Sequence, residues 1–395
     1  MRLSNEELEQ VKEKYHVDEL WSYSRLDTFR TSPYLFFLKY IKHEKPLKDI
    51  VSPYGIIGGA CHETLEKYYK GDIKYSDMLN EFQTAYTMQI ELFDLKFNVT
   101  DENMNKSIAR KYKTDLEHFF ANYKPVEGKH KMEQFVSMEV QSGIAIGGYI
   151  DDVIKEEDGT VHIYDFKTSS KSGFTGDRLR EHSHQLVIYA EALRQAGVPQ
   201  DKIAASFLMM KYVDVDITQK NGKIKTSTIE RCQIGEKLQS KASVWLKETG
   251  LSEEEQNELL AQMIQDNSID CLPDSVKEKF VIRDCYIDVP DIFGIYDELR
   301  LEIIDIVADI DNRKHEYDET HDDHVWYDTD ESMEKNSYFL VQISEYRIDQ
   351  IRCFAEYCER LEREEDAKRE ASDLLGITRK EKANEEDLSW LDDLT

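Results

Sequence analysis

Between residues 133 and 215 the chain changes its hydrophobic period twice, which calls for a sheet with a helix packed on it. Residues 133–167 follow a two-residue period rich in β-branched side chains. Within them, 144–154 read as a strand, Glu156-Glu157-Asp158-Gly159 as a turn, and Val161 to Lys167 as the returning strand. Residues 181–196 return to helical spacing, bounded by Gly197 and Pro199. Ile203 to Val215 is strand-like, and Asn221-Gly222 is a hairpin turn leading into Lys223 to Ile229. The first 125 residues read as helices, through Ile57, Cys61, Leu65 and Tyr68 and again over 75–95 and 102–121. After residue 232 the pattern is mostly helical and acidic, including 290–312 and 338–370. The class is therefore α/β, an αβββαβ core with large helical N- and C-terminal additions. Expected boundaries are 1–130 for a helical N-terminal part, 131–232 for the core, 233–376 for an acidic helical region, and 377–395 for a flexible acidic tail.

The hairpin carries the chemistry. Residues i and i+2 of a strand share a face, so Asp165 and Lys167 point to one side. Asp151 lies on the partner strand, where the hairpin brings it beside Asp165. Two carboxylates beside an amine suit metal-assisted phosphodiester hydrolysis: the acids hold a hard divalent cation, and the ammonium offsets charge on the attacking oxygen or the phosphorane. An isolated Asp-x-Lys is more often an ordinary solvated strand edge. Asp152, the neighbour of Asp151, should face the other way, and Glu139 is either supporting or solvent-facing.

The ordered set is more specific than any one part. Gly148-Tyr149-Ile150-Asp151, then Asp165-Phe166-Lys167-Thr168, then Gln185 and Tyr189 on one helix face resemble the PD-(D/E)xK nuclease superfamily, in particular its RecB-like branch of Cas4-type, AddB-type and phage exonucleases. Ser22 to Phe29 with Ser32-Pro33-Tyr34 resembles that branch's opening motif, and Gly58-Gly59-Ala60-Cys61-His62-Glu63 its histidine helix. The resemblance covers roughly residues 20–215. It implies a restriction-endonuclease-like fold and a Mg²⁺- or Mn²⁺-dependent deoxyribonuclease of exonuclease type, in DNA recombination, repair, replication or phage DNA processing. It makes His62, Asp151, Asp165 and the Phe166 carbonyl the metal ligands, with Asp151, Asp165 and Lys167 catalytic. Gln185, Tyr189 and Arg25 would contact DNA. The same helix positions also suit plain core packing for Tyr189 and a surface site for His62. Two alternatives stay open: a non-cutting DNA-binding or helicase-associated subunit, and a Cas4-like DNA-end processing factor.

Relatives with an iron–sulfur cluster have a cysteine where this chain has Ser32. Its six cysteines, Cys61, Cys232, Cys271, Cys285, Cys353 and Cys358, form no CxxC pair. An iron–sulfur cluster is not expected, and reduced structural thiols are. His321-Asp322-Asp323-His324 reads as a solvated acidic loop rather than a second metal site.

The net charge of −29 argues against a DNA partner until it is divided. Residues 1–231 hold 32 Lys and Arg against 36 Asp and Glu; residues 232–395 hold 19 against 44. The motif-bearing part is nearly neutral and free to carry basic patches. Candidates are Lys39, Lys42, Lys45 and Lys48; Lys106, Arg110, Lys111 and Lys113; and Lys171, Arg178 and Arg180. No apolar run is long enough to span a bilayer and the first residues are too polar for a signal peptide, so a cytoplasmic location is expected, in the host if the gene is a phage's. No GxxxxGK[ST] loop is present, so ATP-driven unwinding would come from a partner. Acidic residues interleaved with Leu388, Trp390, Leu391 and Leu394 suit docking on a helicase, sliding clamp or single-strand-binding protein, against the alternatives of folding back on the chain or shielding the groove.

Overall fold

The computed structural model describes residues 2–47 and 52–374. The acidic tail, its docking segment and Lys48 lie outside the described residues. The chain divides into two compact units, Met1–Leu26 with Ile50–Ile310, and Asp27–Asp49 with Asp311–Thr395. No helix among the described residues is long and apolar enough to cross a membrane.

The first unit is built on a seven-stranded mixed sheet. Its strands are β1 (Leu20–Trp21), β2 (Lys129–Gln141), β3 (Ile144–Lys155), β4 (Val161–Lys167), β5 (Ile203–Thr218), β6 (Ile224–Glu230) and β7 (Phe280–Asp288). Helices α1 (Asn5–Tyr15), α2 (Tyr23–Thr31), α3 (Pro33–Phe36), α4 (Pro53–Lys70), α5 (Met78–Tyr86) and α6 (Glu102–Asn122) come before β2. Helix α7 (Gly176–Gln195) links β4 to β5; α8 (Ile234–Leu246), α9 (Glu253–Asp266) and α10 (Asp274–Lys277) precede β7; α11 (Ile292–Thr320), α12 (Asp330–Tyr338) and α13 (Arg352–Leu374) follow it.

Strand β2 runs antiparallel along all of β3, from Lys129↔Lys155 to Gln141↔Ile144. On the other side of β3, β1 pairs only at Ala145 and Ile146, and β4 only from Asp152↔Tyr164 to Lys155↔Val161. Residues 147–151 of β3 therefore have no strand partner on that side, and this gap frames the site. The β3–β4 turn closes as the sequence indicates, through Glu156 N–H to Thr160 O and Gly159 N–H to Glu156 O. Strands β4 and β5 are parallel, from Val161↔Ile203 to Lys167↔Met209. A parallel pair needs a crossover, and α7 supplies it.

The helical stripe Ile57, Cys61 and Leu65 of α4 meets the period-two stripes Tyr164–Phe166 and Leu208–Met210, with Phe82, Phe119 and Phe120 of α5 and α6. Each fully buried aromatic of this kind contributes about 2 kcal/mol by area. A second core joins Val213, Val215 and Ile217 on the far half of β5 to Leu238, Ala242 and Leu246 of α8, Met263 of α9 and Phe280 of β7.

Two expectations change in the acidic region. Phe280–Asp288 is a strand, pairing antiparallel with β5 from Ser206↔Asp288 to Ile217↔Phe280. It is tied in by buried Arg231, whose guanidinium hydrogen-bonds Asp284 of β7 and, through Nε, the Met210 carbonyl at 2.8 Å. The expected helix over 338–370 is broken: a wide turn over Phe339–Ile343 ends at Ser344, which is extended, and α13 begins only at Arg352. The intervening Tyr346 is buried and its hydroxyl donates to Glu44 O at 2.8 Å, a contact a continuous helix would forgo.

The second unit is an aromatic cluster. Trp326 is fully buried and stacks on Phe36 and Phe37 at 6.0 and 5.3 Å, with Phe29 edge-on at 6.5 Å. The Ser32 hydroxyl donates to Asp328 at 2.8 Å, and the Cys353 thiol lies 3.4 Å from the same oxygen. Asp322 caps the turn Asp323–Trp326 and Asp323 takes Lys42 at 2.7 Å, while His321, Asp322 and His324 are exposed. All six cysteines are free.

Asp115 of α6 is buried: its Oδ1 accepts from Cys232 N–H at 2.6 Å while Oδ2 has no hydrogen-bond partner. Burial pushes its carboxyl up to about 6 from 3.8. A raised folded pKa gives stability that is complete below the unfolded value and is lost as pH rises through the folded one. In Asp115→Asn that loss disappears. The stability of the variant relative to wild type should rise by about 2 kcal/mol between pH 4 and pH 7, measured by urea unfolding at both.

Candidate active site

Beyond Asp152↔Tyr164 the β3 and β4 backbones part, and side chains take over the pairing. The Asp151 carboxylate accepts the Phe166 N–H at 3.0 Å, a bond that a continued ladder would have given to backbone. Asp165 and Lys167, two apart on β4, face one side as the strand period requires, and Lys167 Nζ lies 2.6 Å from Asp165 Oδ2. The contact is a buried ion pair, and Oδ2 has no hydrogen-bond partner besides this ammonium. A buried carboxylate oxygen with unspent lone pairs suits a cation.

His62 arrives from the opposite direction on α4. Its Nε2 is 2.9 Å from the Phe166 carbonyl, which makes that nitrogen the donor, and its Nδ1 is 3.6 Å from Asp151 Oδ2. Asp151, Asp165, the Phe166 carbonyl and His62 thus converge on the gap beside β3. Among the described residues no three His, Cys, Asp or Glu side chains are already closed into a cation cage; Lys167 stands against Asp165 instead. The donor set of two carboxylates, a carbonyl and an imidazole fits Mg²⁺ or Mn²⁺, the nitrogen favouring the latter.

The electrostatics are those of two buried carboxylates beside one ammonium. Burial and then the neighbouring Asp165 charge raise the Asp151 carboxyl above the ordinary aspartate range. Burial works to lower the Lys167 ammonium, but Asp165 and Asp151 outweigh it and hold the group cationic. Lys167 also lies 5.8 Å from the centre of the Phe207 ring.

Gln185 and Tyr189, one turn apart on α7, are joined by a hydrogen bond from Gln185 Nε2 to the Tyr189 hydroxyl at 2.8 Å. Tyr189 lies across β3 at Gly148, where a Cβ would fall 2.7 Å from its ring and hydroxyl. At Gly147 a Cβ would be 2.9 Å from both Leu20 and Phe135. The tandem glycines thus let β1, β2 and the Tyr189 phenol close on β3 just ahead of Asp151. Arg25 makes an ion pair with Glu19 at 2.6 Å and lies 4.7 Å from the centre of the Trp21 ring. Several of the basic candidates are likewise engaged, Lys113 with Glu91, Lys106 with Glu102, Arg180 with Glu298 and Lys171 with Thr228.

Asp152 does face the other way. It meets His130 Nδ1 at 2.7 Å, while His130 Nε2 is 2.8 Å from Val126 O and its ring stacks on Tyr69 of α4 at 3.7 Å. This pair packs α4 against the sheet behind the site. Glu139 is exposed. One residue that the sequence patterns do not single out is Glu133, on β2 opposite Asp151, whose backbone is left-handed at φ 50°.

Residues 20–278 match the sequence profile of the PD-(D/E)XK nuclease superfamily. Over 207 residues the chain is 31% identical to one component of the ATP-dependent helicase/deoxyribonuclease of Streptococcus mutans, a match that covers 50% of this chain and 18% of that protein.

Gly148→Ala should destabilise the fold by about 1–3 kcal/mol, the usual cost of an overpacked site. The loss should be markedly smaller in a Tyr189→Leu background. Additive losses in a double-mutant unfolding cycle would show that the phenol is not what Gly148 accommodates.

Proposed function

Because the chain belongs to the PD-(D/E)XK nuclease superfamily, we propose that it is a divalent-cation-dependent deoxyribonuclease of exonuclease type. The observation that carries this reading is the convergence of Asp151, Asp165, Lys167, the Phe166 carbonyl and His62 on one gap in the sheet. A Mg²⁺ or Mn²⁺ ion there would lower the pKa of a bound water and offset charge on the phosphate.

The residues of the chain divide the remaining work. Asp151 and Asp165 would hold a cation that offsets their own repulsion of a phosphodiester, and the Phe166 carbonyl and His62 would complete the donor set. Lys167 keeps its proton and stabilises the negative charge that grows on the phosphorane oxygens. Water adds to phosphorus and releases a proton to solvent, the bond to one bridging sugar oxygen breaks, and that oxygen leaves with a proton drawn from solvent. The Gln185–Tyr189 pair would bear on the sugar–phosphate backbone and keep it in line.

The similarity to a protein named as part of a helicase/deoxyribonuclease supports work on DNA beside a motor supplied by a partner. The chain spans 18% of that protein's length, so this association stands as part of the proposal.

Asp165→Ala and Lys167→Ala should each abolish cleavage of end-labelled linear DNA in Mg²⁺ or Mn²⁺ while leaving DNA affinity within a few-fold. Either variant cutting at the wild-type rate would remove the assignment, and products from circular DNA would exclude a purely exonucleolytic action. His62→Ala should weaken Mn²⁺ binding and keep residual activity in excess Mn²⁺. Because Asp151 must be ionised to ligate, Mn²⁺ affinity measured by calorimetry should fall on acidification at a higher pH than an ordinary aspartate would give.

A further inference from the structure

The hairpin of β5 and β6 sorts its charges between two faces. Asp214 and Asp216 lie opposite Thr228 and Thr226, and their carboxylates accept the two hydroxyls at 2.6 Å. Asp216 also takes Arg283 of β7 at 2.7 Å, so the acids of this face are engaged. The other face pairs Val215 with Ser227 and Ile217 with Lys225, and α8 packs on it. Between β6 and α8 it leaves a groove of about 220 Å³, with Lys225 on one wall and Lys241 and Val244 on the other. Among the described residues no Asp or Glu lines this groove, in a chain with 80 acids against 51 Lys and Arg.

The lysines around the groove are unspent. Lys223, Lys225, Lys237 and Lys241 are exposed, and their ammonium groups have no ion-pair or hydrogen-bond partner among the described residues. Lys237 and Lys241 stand one turn apart on one face of α8. Lys220 pairs with Glu248 and lies 4.1 Å from the centre of the Trp245 ring, which Lys279 approaches at 5.0 Å. The indole is itself pinned, its Nε1 donating to Thr218 O at 3.2 Å, and it holds both ammonium groups near the groove. Like charges gathered without counter-charges repel one another, a cost that a polyanion laid along the groove would remove. Ser227 in the groove and Ser240 on α8 set hydroxyls among the ammonium groups, the mixture that meets phosphate oxygens.

We propose that the β6–α8 groove is a second contact for a DNA sugar–phosphate backbone, apart from the carboxylate site. That the polyanion is DNA rests on the nuclease reading above. Met209 pairs with Lys167 and Ile217 with Lys225, and the stretch of β5 between these pairs spans at most about 26 Å. A duplex rises about 3.4 Å per pair, so the groove meets DNA within about eight base pairs of the cut. DNA reaching both places would be held by its backbone without its sequence being read.

The test is fluorescence anisotropy of the intact chain with a labelled duplex of about 30 base pairs, in EDTA and over a series of salt concentrations. EDTA keeps metal-dependent cleavage out of the measurement. Lys225→Gln/Lys241→Gln should bind about tenfold or more weakly, and its salt slope should fall by about 2, one for each lost phosphate contact. Lys225→Arg/Lys241→Arg should bind as wild type does. Both variants should melt with wild type, because neither lysine makes an ion pair within the fold. Equal affinity and slope in the Gln variant overturn the proposal; if wild type still cuts in Mg²⁺, the nuclease reading stands without it. Polyglutamate that displaces the duplex as well as an equal charge of unlabelled DNA also overturns it, because the groove would then serve acidic protein. A wild-type chain that neither binds nor cuts DNA removes both readings.

Discussion

The hydrogen bond from Phe166 N–H to Asp151 is the constraint on which the site depends. Two antiparallel strands that stayed paired would leave Asp151 and Asp165 projecting from a flat surface into water. Once the ladder stops at Asp152, the freed N–H still needs an acceptor, and a buried donor without one costs about 1–3 kcal/mol. Asp151 satisfies it, and in doing so its carboxylate is drawn into the fork. The Phe166 carbonyl, freed by the same divergence, turns to His62. One interruption of a sheet thus delivers a carboxylate, a carbonyl and an imidazole to one place.

What keeps the fork open lies behind it. Phe166 anchors β4 in the core shared with α4 to α6, so the backbone on either side of it cannot drift. The His130–Asp152 contact and the Tyr69 stack fix α4 seven residues beyond His62, two turns along the same helix. Tyr189, held over Gly148, covers the sheet on the α7 side. These supports are packed groups, and the site they enclose contains the buried Asp165–Lys167 ion pair.

The hairpin, the pairing of Asp165 with Lys167 and the outward turn of Asp152 were legible in sequence because a strand has a strict two-residue period. The placement of His62 was legible only through resemblance, since it comes from a helix more than a hundred residues from Phe166. Strand β7 was hidden by its setting. Phe280, Ile282 and Cys285 carry an apolar pattern, but Arg283 and Asp284 interrupt it, and the surrounding acidity reads as helix and loop. Asp284 becomes intelligible only with Arg231, its buried partner 53 residues earlier. The conformation of Glu133 has no sequence signal at all, because a left-handed glutamate breaks the local preference that sequence reading relies on.

The second unit joins residues 27–49 to residues beyond 311, and this has a consequence for how the chain emerges from a ribosome. Phe29, Phe36 and Phe37 are made early, and Trp326, against which they pack, is made almost three hundred residues later. At roughly 5–20 residues per second, these aromatics wait for tens of seconds without their partner. The interval favours association with a chaperone or with another nascent chain, and closing so long a loop is slow. A circular permutant that places residues 311–374 ahead of residue 27 would shorten the wait to a few seconds.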